Sequence, residues 1–367
     1  CDDCITPFYD TITELLSDKN QQVFYYRKVL WQYLVDNHGF KGVYCNFCHY
    51  LRKYPEFDSY FRKSRPSNTN KVTVRYETPM GKQAQLDWKE SIPFILSSGE
   101  TIEVNIFVLL LSYSRFRVYR VSLSKTQDIL FSFLDDAFET LGGVPDEIVT
   151  DNMKTVMNEA RTEYYAGKVN NKFQQFADDY GFKVQPCIAG HPHTKAKVEA
   201  PMKILDEIRA YNGKLNYIEL VELVTRINNR VNTQVNQGTG RIPLMYYNKE
   251  KAFLNSLPAD NIRKPYKITT NTVKVNHSSM FNYKCCQYSV PPEYIDKIVS
   301  LQVYDGYIHV YYNTEFITIH QLSSKKLNYI SEHYAAIARK SHIFRAEHIM
   351  DRAKENLEII GKVYDYE

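Results

Sequence analysis

Between residues 77 and 235 the apolar pattern switches repeatedly between a strand period and a helix period. In Lys82–Trp88, Gln83, Gln85 and Asp87 fall on one face, and Ala84, Leu86 and Trp88 on the other. Glu103–Ser112 and Arg115–Val121 read as the next strands, joined by a short turn. Thr126–Leu141 is an amphipathic helix stopped by Gly142-Gly143, and Asp146–Thr150 is a short strand after that crossover. Lys172–Tyr180 reads as helix, Phe182–Pro186 as strand, and Lys195–Tyr211 as the start of another helix, with Pro201 set against its regular continuation. The order β-β-β-α-β-α-β-α is what a mixed five-stranded sheet flanked by helices would give; if its strands are ordered 3-2-1-4-5, the first and fourth are neighbours.

The flanks differ in kind, so the chain is expected to be multidomain α+β. Residues 1–62 read as a helical domain, with helices over Phe8–Leu16, Gln21–His38 and Tyr44–Tyr54. Gly39-Phe40-Lys41-Gly42 makes the turn between the last two. Helix, glycine turn and a helix bearing Asn46, His49, Arg52 and Lys53 have the form of a helix-turn-helix, although a plain helical hairpin has the same pattern. Residues 63–76 form a linker. From Arg62 to Arg75 there are five basic residues (Arg62, Lys63, Arg65, Lys71, Arg75) and no acid, as expected of an arm that tracks a phosphate backbone. After the α/β section of 77–235 comes a connector, 236–264. Short strands in 265–322 suggest a small β-barrel, and 323–367 returns to helix.

The whole chain of 367 residues carries a net charge of only +4, yet the arm alone holds more than that. Near-neutrality therefore does not exclude a nucleic-acid partner. The longest apolar run, Ile106–Leu111, is far too short to span a bilayer, and no secretory leader is read. Cys1, Cys4, Cys45 and Cys48 make two CxxC pairs, which suit either a zinc site or packed thiols.

Three carboxylates are placed to converge. Asp87 lies on the first strand of the α/β section, Asp151 directly follows the fourth, and Glu199 lies in the helical segment after the fifth. In the order 3-2-1-4-5 the first and fourth strands are neighbours. Three carboxylates at one point need a compensating cation, and Mg²⁺ prefers oxygen ligands; two such ions, with Mn²⁺ as a substitute, suit phosphoryl transfer. Singly, the same acids also suit a strand surface, a helix N-cap and a helix-surface ion pair.

The strings Gln85-Leu86-Asp87-Trp88, Val149-Thr150-Asp151-Asn152 and His191-Pro192-His193-Thr194-Lys195-Ala196-Lys197-Val198-Glu199 resemble the DDE transposase/integrase superfamily, and in particular the IstA-type insertion-sequence transposases. Gly238-Thr239-Gly240-Arg241-Ile242-Pro243 and Tyr288-Ser289-Val290-Pro291-Pro292 extend that likeness beyond the core. The resemblance implies an RNase H-like integrase core with Asp87, Asp151 and Glu199 as catalytic and metal-binding triad. It implies a helix-turn-helix domain ahead of the core, and nicking of double-stranded DNA at transposon ends followed by 3′-OH strand transfer into a target. Phosphates are expected beside His193, Lys195, Lys197 and Lys203. An IstB-type AAA+ ATPase is the expected partner, with a homo-oligomer on DNA, no membrane, and a cytoplasmic, nucleoid-associated location in a bacterium. The rival readings are a non-catalytic DNA-binding repressor and an RNase H-like nuclease without strand transfer.

Overall fold

The computed structural model describes residues 4–62, 77–188, 202–304, 306–313, 315–341 and 349–364. The chain divides into two compact units, one made of residues 1–121 and 136–259, the other of 122–135 and 260–367.

The first unit begins with four helices, α1 (Tyr9–Leu15), α2 (Arg27–His38), α3 (Tyr44–Lys53) and α4 (Pro55–Arg62). Gly39 ends α2 with φ 68°, a left-handed cap that glycine adopts without a Cβ penalty. The helix expected from Gln21 starts instead at Arg27. Residues ahead of it bond to a distant segment: Val23 N donates to Arg209 O at 3.0 Å, and Asn212 Nδ2 donates to Gln21 O at 3.3 Å. Tertiary hydrogen bonds here override a helical apolar spacing.

The sheet contains β1 (Gln83–Ile95), β2 (Thr101–Leu111), β3 (Arg117–Ser122), β4 (Glu147–Thr150) and, after the hairpin β5 (Met157–Glu159) and β6 (Lys168–Val169), β7 (Lys183–Pro186). Its order is β3-β2-β1-β4-β7, which makes the first and fourth strands neighbours. β2 runs antiparallel to β1, while β4 pairs parallel with both β1 and β7. Val104–Leu111 is buried throughout, as in a central strand covered on both faces. β1 outruns its expected end because an irregularity between Lys89 and Ile92 restarts the ladder. Ser91 has φ 48° there, and its N–H donates to the buried Asn105 Oδ1 at 2.9 Å.

Two helices follow the pattern of their ends. Asn170 caps α6 (Asn171–Tyr180) by accepting from Lys172 N and Phe173 N, and Gly181 closes it at φ 75°. Asn216 and Glu219 form a capping box on the helix Tyr217–Thr233, which the sequence reading did not delimit. Of the helix expected over Lys195–Tyr211, the described part is a short helical stretch from Met202 that tightens to a 3-10 helix over Leu205–Tyr211.

In the second unit the expected barrel does not close among the described residues. The strands β8 (Thr269–Lys274), β9 (Met280–Tyr283), β10 (Cys286–Ser289), β11 (Ile298–Tyr304), β12 (Tyr307–Tyr312), β13 (Glu315–Gln321) and β14 (Leu327–Asn328) form two sheets, β14-β10-β9 and β13-β12-β11-β8. Phe281, Tyr288, Val299, Leu301, Ile308 and Val310 share one core between them. Strand alternation supplies the apolar faces, but a three-stranded and a four-stranded sheet bury them without a continuous ladder. The helix α5 (Gln127–Leu141) begins in this unit, where Asp135 makes a buried two-pronged ion pair with Arg263: Nε to Oδ1 at 2.6 Å and Nη2 to Oδ2 at 3.2 Å. The helices Ser331–Lys340 and Ile349–Tyr364 follow the strands.

Candidate active site

Asp87 lies on β1, and Asp151 directly follows the end of the neighbouring β4. β1 and β4 are parallel with Leu86 opposite Thr150, and the next residue on each chain is an aspartate. Parallel strands lie about 4.8 Å apart, and residues in register share a face. Asp87 is half-buried, and its Oδ1 accepts the Trp88 N–H at 2.9 Å. Asp151 is half-buried where β4 ends.

The loop after Asp151 is fastened on both sides. Cys187 N donates to Thr150 O at 2.8 Å, continuing the β4–β7 ladder past its last pair. Asn152 Nδ2 donates to Cys187 O at 3.2 Å, and Asn152 Oδ1 accepts from Arg161 N at 2.8 Å. Arg161 Nη1 in turn reaches Pro186 O at 2.9 Å. Four main-chain and side-chain bonds thus hold the exits of β4 and β7 together around Asp151. Neither Asn152 as a clamp nor Arg161 was singled out from the sequence. Arg161 sits in an irregular loop with no periodic signal.

Lys89, also missed, stands two residues beyond Asp87 and so on the same face of β1. Its ammonium pairs with Asp206 and donates to the Met202 carbonyl at 3.2 Å. The signal available was the strand period itself, which puts a cation beside the carboxylate. Glu199, His193, Lys195 and Lys197 lie outside the described residues. Lys203 is exposed.

On α3, Asn46, His49, Arg52 and Lys53 are all exposed, opposite the buried Phe47, Tyr50 and Leu51. Their spacing of three and four residues gathers them on one face. Of the basic arm, Lys63, Arg65, Lys71 and Arg75 lie outside the described residues, as does the side chain of Arg62. Cys4 and Cys45 are exposed and Cys48 is half-buried; all three are free thiols. Among the described residues they do not gather into a metal-holding group.

Residues 79–192 match the integrase core domain, and residues 263–332 match the C-terminal domain of Mu transposase. The chain is 54% identical over 361 residues to the transposase of insertion sequence element IS232 from Bacillus thuringiensis subsp. berliner, covering 98% of this chain and 84% of that protein. This chain belongs to the IstA-type insertion-sequence transposases. To the IS21 transposase of Pseudomonas aeruginosa it is 27% identical, over 81% of this chain and 74% of that one. Among solved structures, the magnesium complex of the HTLV-2 integrase catalytic core matches 46% of this chain and 97% of that chain at 16% identity, with a TM-score of 0.33.

The transposase is therefore a DDE-type enzyme acting on DNA, and its five-stranded core is the integrase fold that the sequence resemblance implied. Among its described residues no helix is long and apolar enough to cross a membrane. The donor set at Asp87 and Asp151 fits a hard divalent cation, since both offer carboxylate oxygens and two like charges on adjacent strands favour a cation between them. Two acids of α5 have ion-pair partners: Asp135 with Arg263, and Asp136 with Arg120 at 2.6 Å.

Proposed function

We propose that the transposase nicks DNA at element ends and joins the freed 3′-OH to target DNA, with Asp87, Asp151 and Glu199 as its catalytic carboxylates. The observation that supports this reading is the pairing of Leu86 with Thr150, the residues that immediately precede Asp87 and Asp151. Support for Glu199 comes from Lys89, which holds the Met202 carbonyl against the strand of Asp87. Glu199 precedes Met202 by three residues, so a fully extended chain keeps the two within roughly 10 Å.

The three carboxylates would hold Mg²⁺, as two ions, with Mn²⁺ able to replace it. When bound, the metal neutralises charge on the scissile phosphate and makes the attacking oxygen a stronger nucleophile. In the first step water attacks phosphorus and the 3′ oxygen leaves as a hydroxyl. In the second, that hydroxyl attacks a target phosphodiester and displaces the target's own 3′ oxygen. Asn152, Arg161 and Lys89 hold the carboxylate-bearing segments in place while the phosphate changes partners. Asn46, His49, Arg52 and Lys53 contact the ends, the basic arm Arg62, Lys63, Arg65, Lys71 and Arg75 follows the backbone, and His193, Lys195, Lys197 and Lys203 lie by the phosphates. Two ends are brought together by an oligomer of the chain, which works with an IstB-type ATPase.

Labelled element ends, a target plasmid, Mg²⁺ and the ATPase test this directly. Wild type should give joined product and Asp151→Asn none. Equal product from both overturns the assignment, and cutting without joining points to a nuclease. Binding with neither step points to a repressor.

A further inference from the structure

The helical domain and the strand of Asp87 lie far apart along the chain, yet one short segment bonds to both. It is the 3-10 helix Leu205–Tyr211, with Asn212 and Gly213 after it. On one side it is fastened to β1. Lys89 pairs with Asp206, the Ile95 N–H donates to Asn212 Oδ1 at 3.3 Å, and the Gly213 N–H donates to Ile95 O at 2.7 Å.

On its other side the same segment receives the chain that leads into α2. Val23 N donates to Arg209 O at 3.0 Å, Gln22 Nε2 to Ala210 O, and Asn212 Nδ2 to Gln21 O at 3.3 Å. The Tyr211 ring meets Tyr33 of α2 edge-on with centroids 5.0 Å apart, and its hydroxyl accepts from Asn37 Nδ2 at 3.1 Å. Gln22, Tyr211 and Asn212 are all buried, so these bonds are sheltered from competing water. α2 in turn holds α3: Trp31 Nε1 donates to Gly42 O at 2.8 Å, and the Trp31 ring meets Tyr44 edge-on.

Asn212 joins the two sides with a single side-chain amide. Its oxygen accepts from a backbone N–H of β1, and its nitrogen donates to a backbone carbonyl ahead of α2; the two partners fix which way the amide points. The exposed face of α3 is thereby held at a set distance and angle from the strand of Asp87. We propose that Asn212 is a positioning residue, which fixes the register at which DNA held on α3 reaches the catalytic carboxylates. The proposal rests on the reading above that α3 contacts the element ends.

The test uses duplexes that already carry the free 3′-OH, so that only joining is read. One is the element end; the other keeps the base pairs at the 3′-OH and has the remaining sequence shuffled. Each is joined to a target plasmid by saturating full chain with Mg²⁺ and the ATPase, and affinity is measured by anisotropy. Wild type should join the element end about 10-fold faster than the shuffled end, within the range that small misplacements cost. Asn212→Asp keeps an acceptor for the Ile95 N–H but sets a carboxylate against Gln21 O. It should bring the element-end rate down to the shuffled-end rate, with the shuffled-end rate and the affinity for the element end unchanged. Tyr211→Phe, which loses only the hydroxyl, should reduce the element-end advantage by a smaller factor. An undiminished advantage in Asn212→Asp overturns the proposal. So does an equal fractional loss on both duplexes, the mark of a residue that only supports β1, and so does a wild type with no advantage to lose. Where circular dichroism shows Asn212→Asp misfolded, Tyr211→Phe decides, and an advantage equal to wild type's overturns the proposal. The readout is a ratio between two duplexes, so it stands whichever carboxylates prove catalytic. No joined product from wild type on either duplex defeats the strand-transfer reading, and this proposal with it.

Discussion

The Lys89 ammonium donates to the carbonyl oxygen of Met202 at 3.2 Å, tying the strand that carries Asp87 to the segment that follows Glu199. A tether of this kind acts on geometry rather than on binding. Lys89→Ala should slow strand joining by roughly 10- to 100-fold, because small misplacements of reacting groups are that expensive. DNA affinity should be unchanged, and Lys89→Arg should recover part of the rate. Joining kinetics and anisotropy together check this; an unaltered rate for Lys89→Ala refutes the tether.

Arg161 offers a second, independent test of positioning. It bridges to Pro186 O and, through its own N–H, to Asn152 beside Asp151. Arg161→Ala should lower the joining rate by about 10-fold or more, the usual scale for residues that orient a metal-site ligand. Titrating Mg²⁺ should show a weaker apparent affinity for the metal, while circular dichroism stays that of wild type. An unchanged Mg²⁺ titration curve sinks the idea.

In the second unit the Asp135–Arg263 pair is almost fully enclosed, with Asp135 0% and Arg263 5% exposed. Removing one partner takes from a buried charge its nearest counter-ion; beside Asp135 the Lys267 ammonium stands at 3.9 Å. Arg263→Ala should therefore destabilise that unit by about 3–5 kcal/mol, whereas Asp135→Leu with Arg263→Met should restore most of the loss. Thermal unfolding of the full chain reads this out, and a melting curve for Arg263→Ala that overlays wild type counts against it.

Two histidines predict an acid response. His320 Nε2 lies 2.7 Å from Ser289 O, and burial pulls its pKa down to about 4. His333 Nδ1 contacts Ser289 Oγ at 3.1 Å, and burial lowers its pKa as well. The unfolded chain, with histidine near 6.5, then binds more protons than the folded one between that value and about 4. Their contribution is fully present above about 6.5 and is lost as the pH falls through that window. The melting temperature should drop from pH 7 to pH 5, and by less in His320→Gln. A variant with the same drop as wild type contradicts the assignment.

On α3 the exposed face predicts a salt effect. If Arg52 and Lys53 meet phosphates, each alanine variant should flatten the slope of log affinity against log salt by about 1. Slopes equal to that of wild type place the DNA elsewhere.

Local alternation was enough to find the strands and the helix between them. That β1 lies beside β4, with Leu86 opposite Thr150, is decided by long-range pairing. What could not be read is where long-range hydrogen bonds decide. The start of α2 was misjudged because Gln21 and Val23 answer to Asn212 and Arg209, far away along the chain. The barrel was expected because each strand alternates correctly, yet alternation sets only which face is buried and not whether the last ladder closes.

The sequence by itself therefore determined the periods, the punctuation at Gly39 and Gly142, and the family-like strings around Asp87 and Asp151, because each is a property of adjacent residues. Only the tertiary structure decided that Lys89 holds Met202, that Arg161 braces Asn152, and that Arg263 is enclosed with Asp135. Those depend on desolvated partners brought together by packing, and a single pair of distant polar groups leaves no period in a sequence.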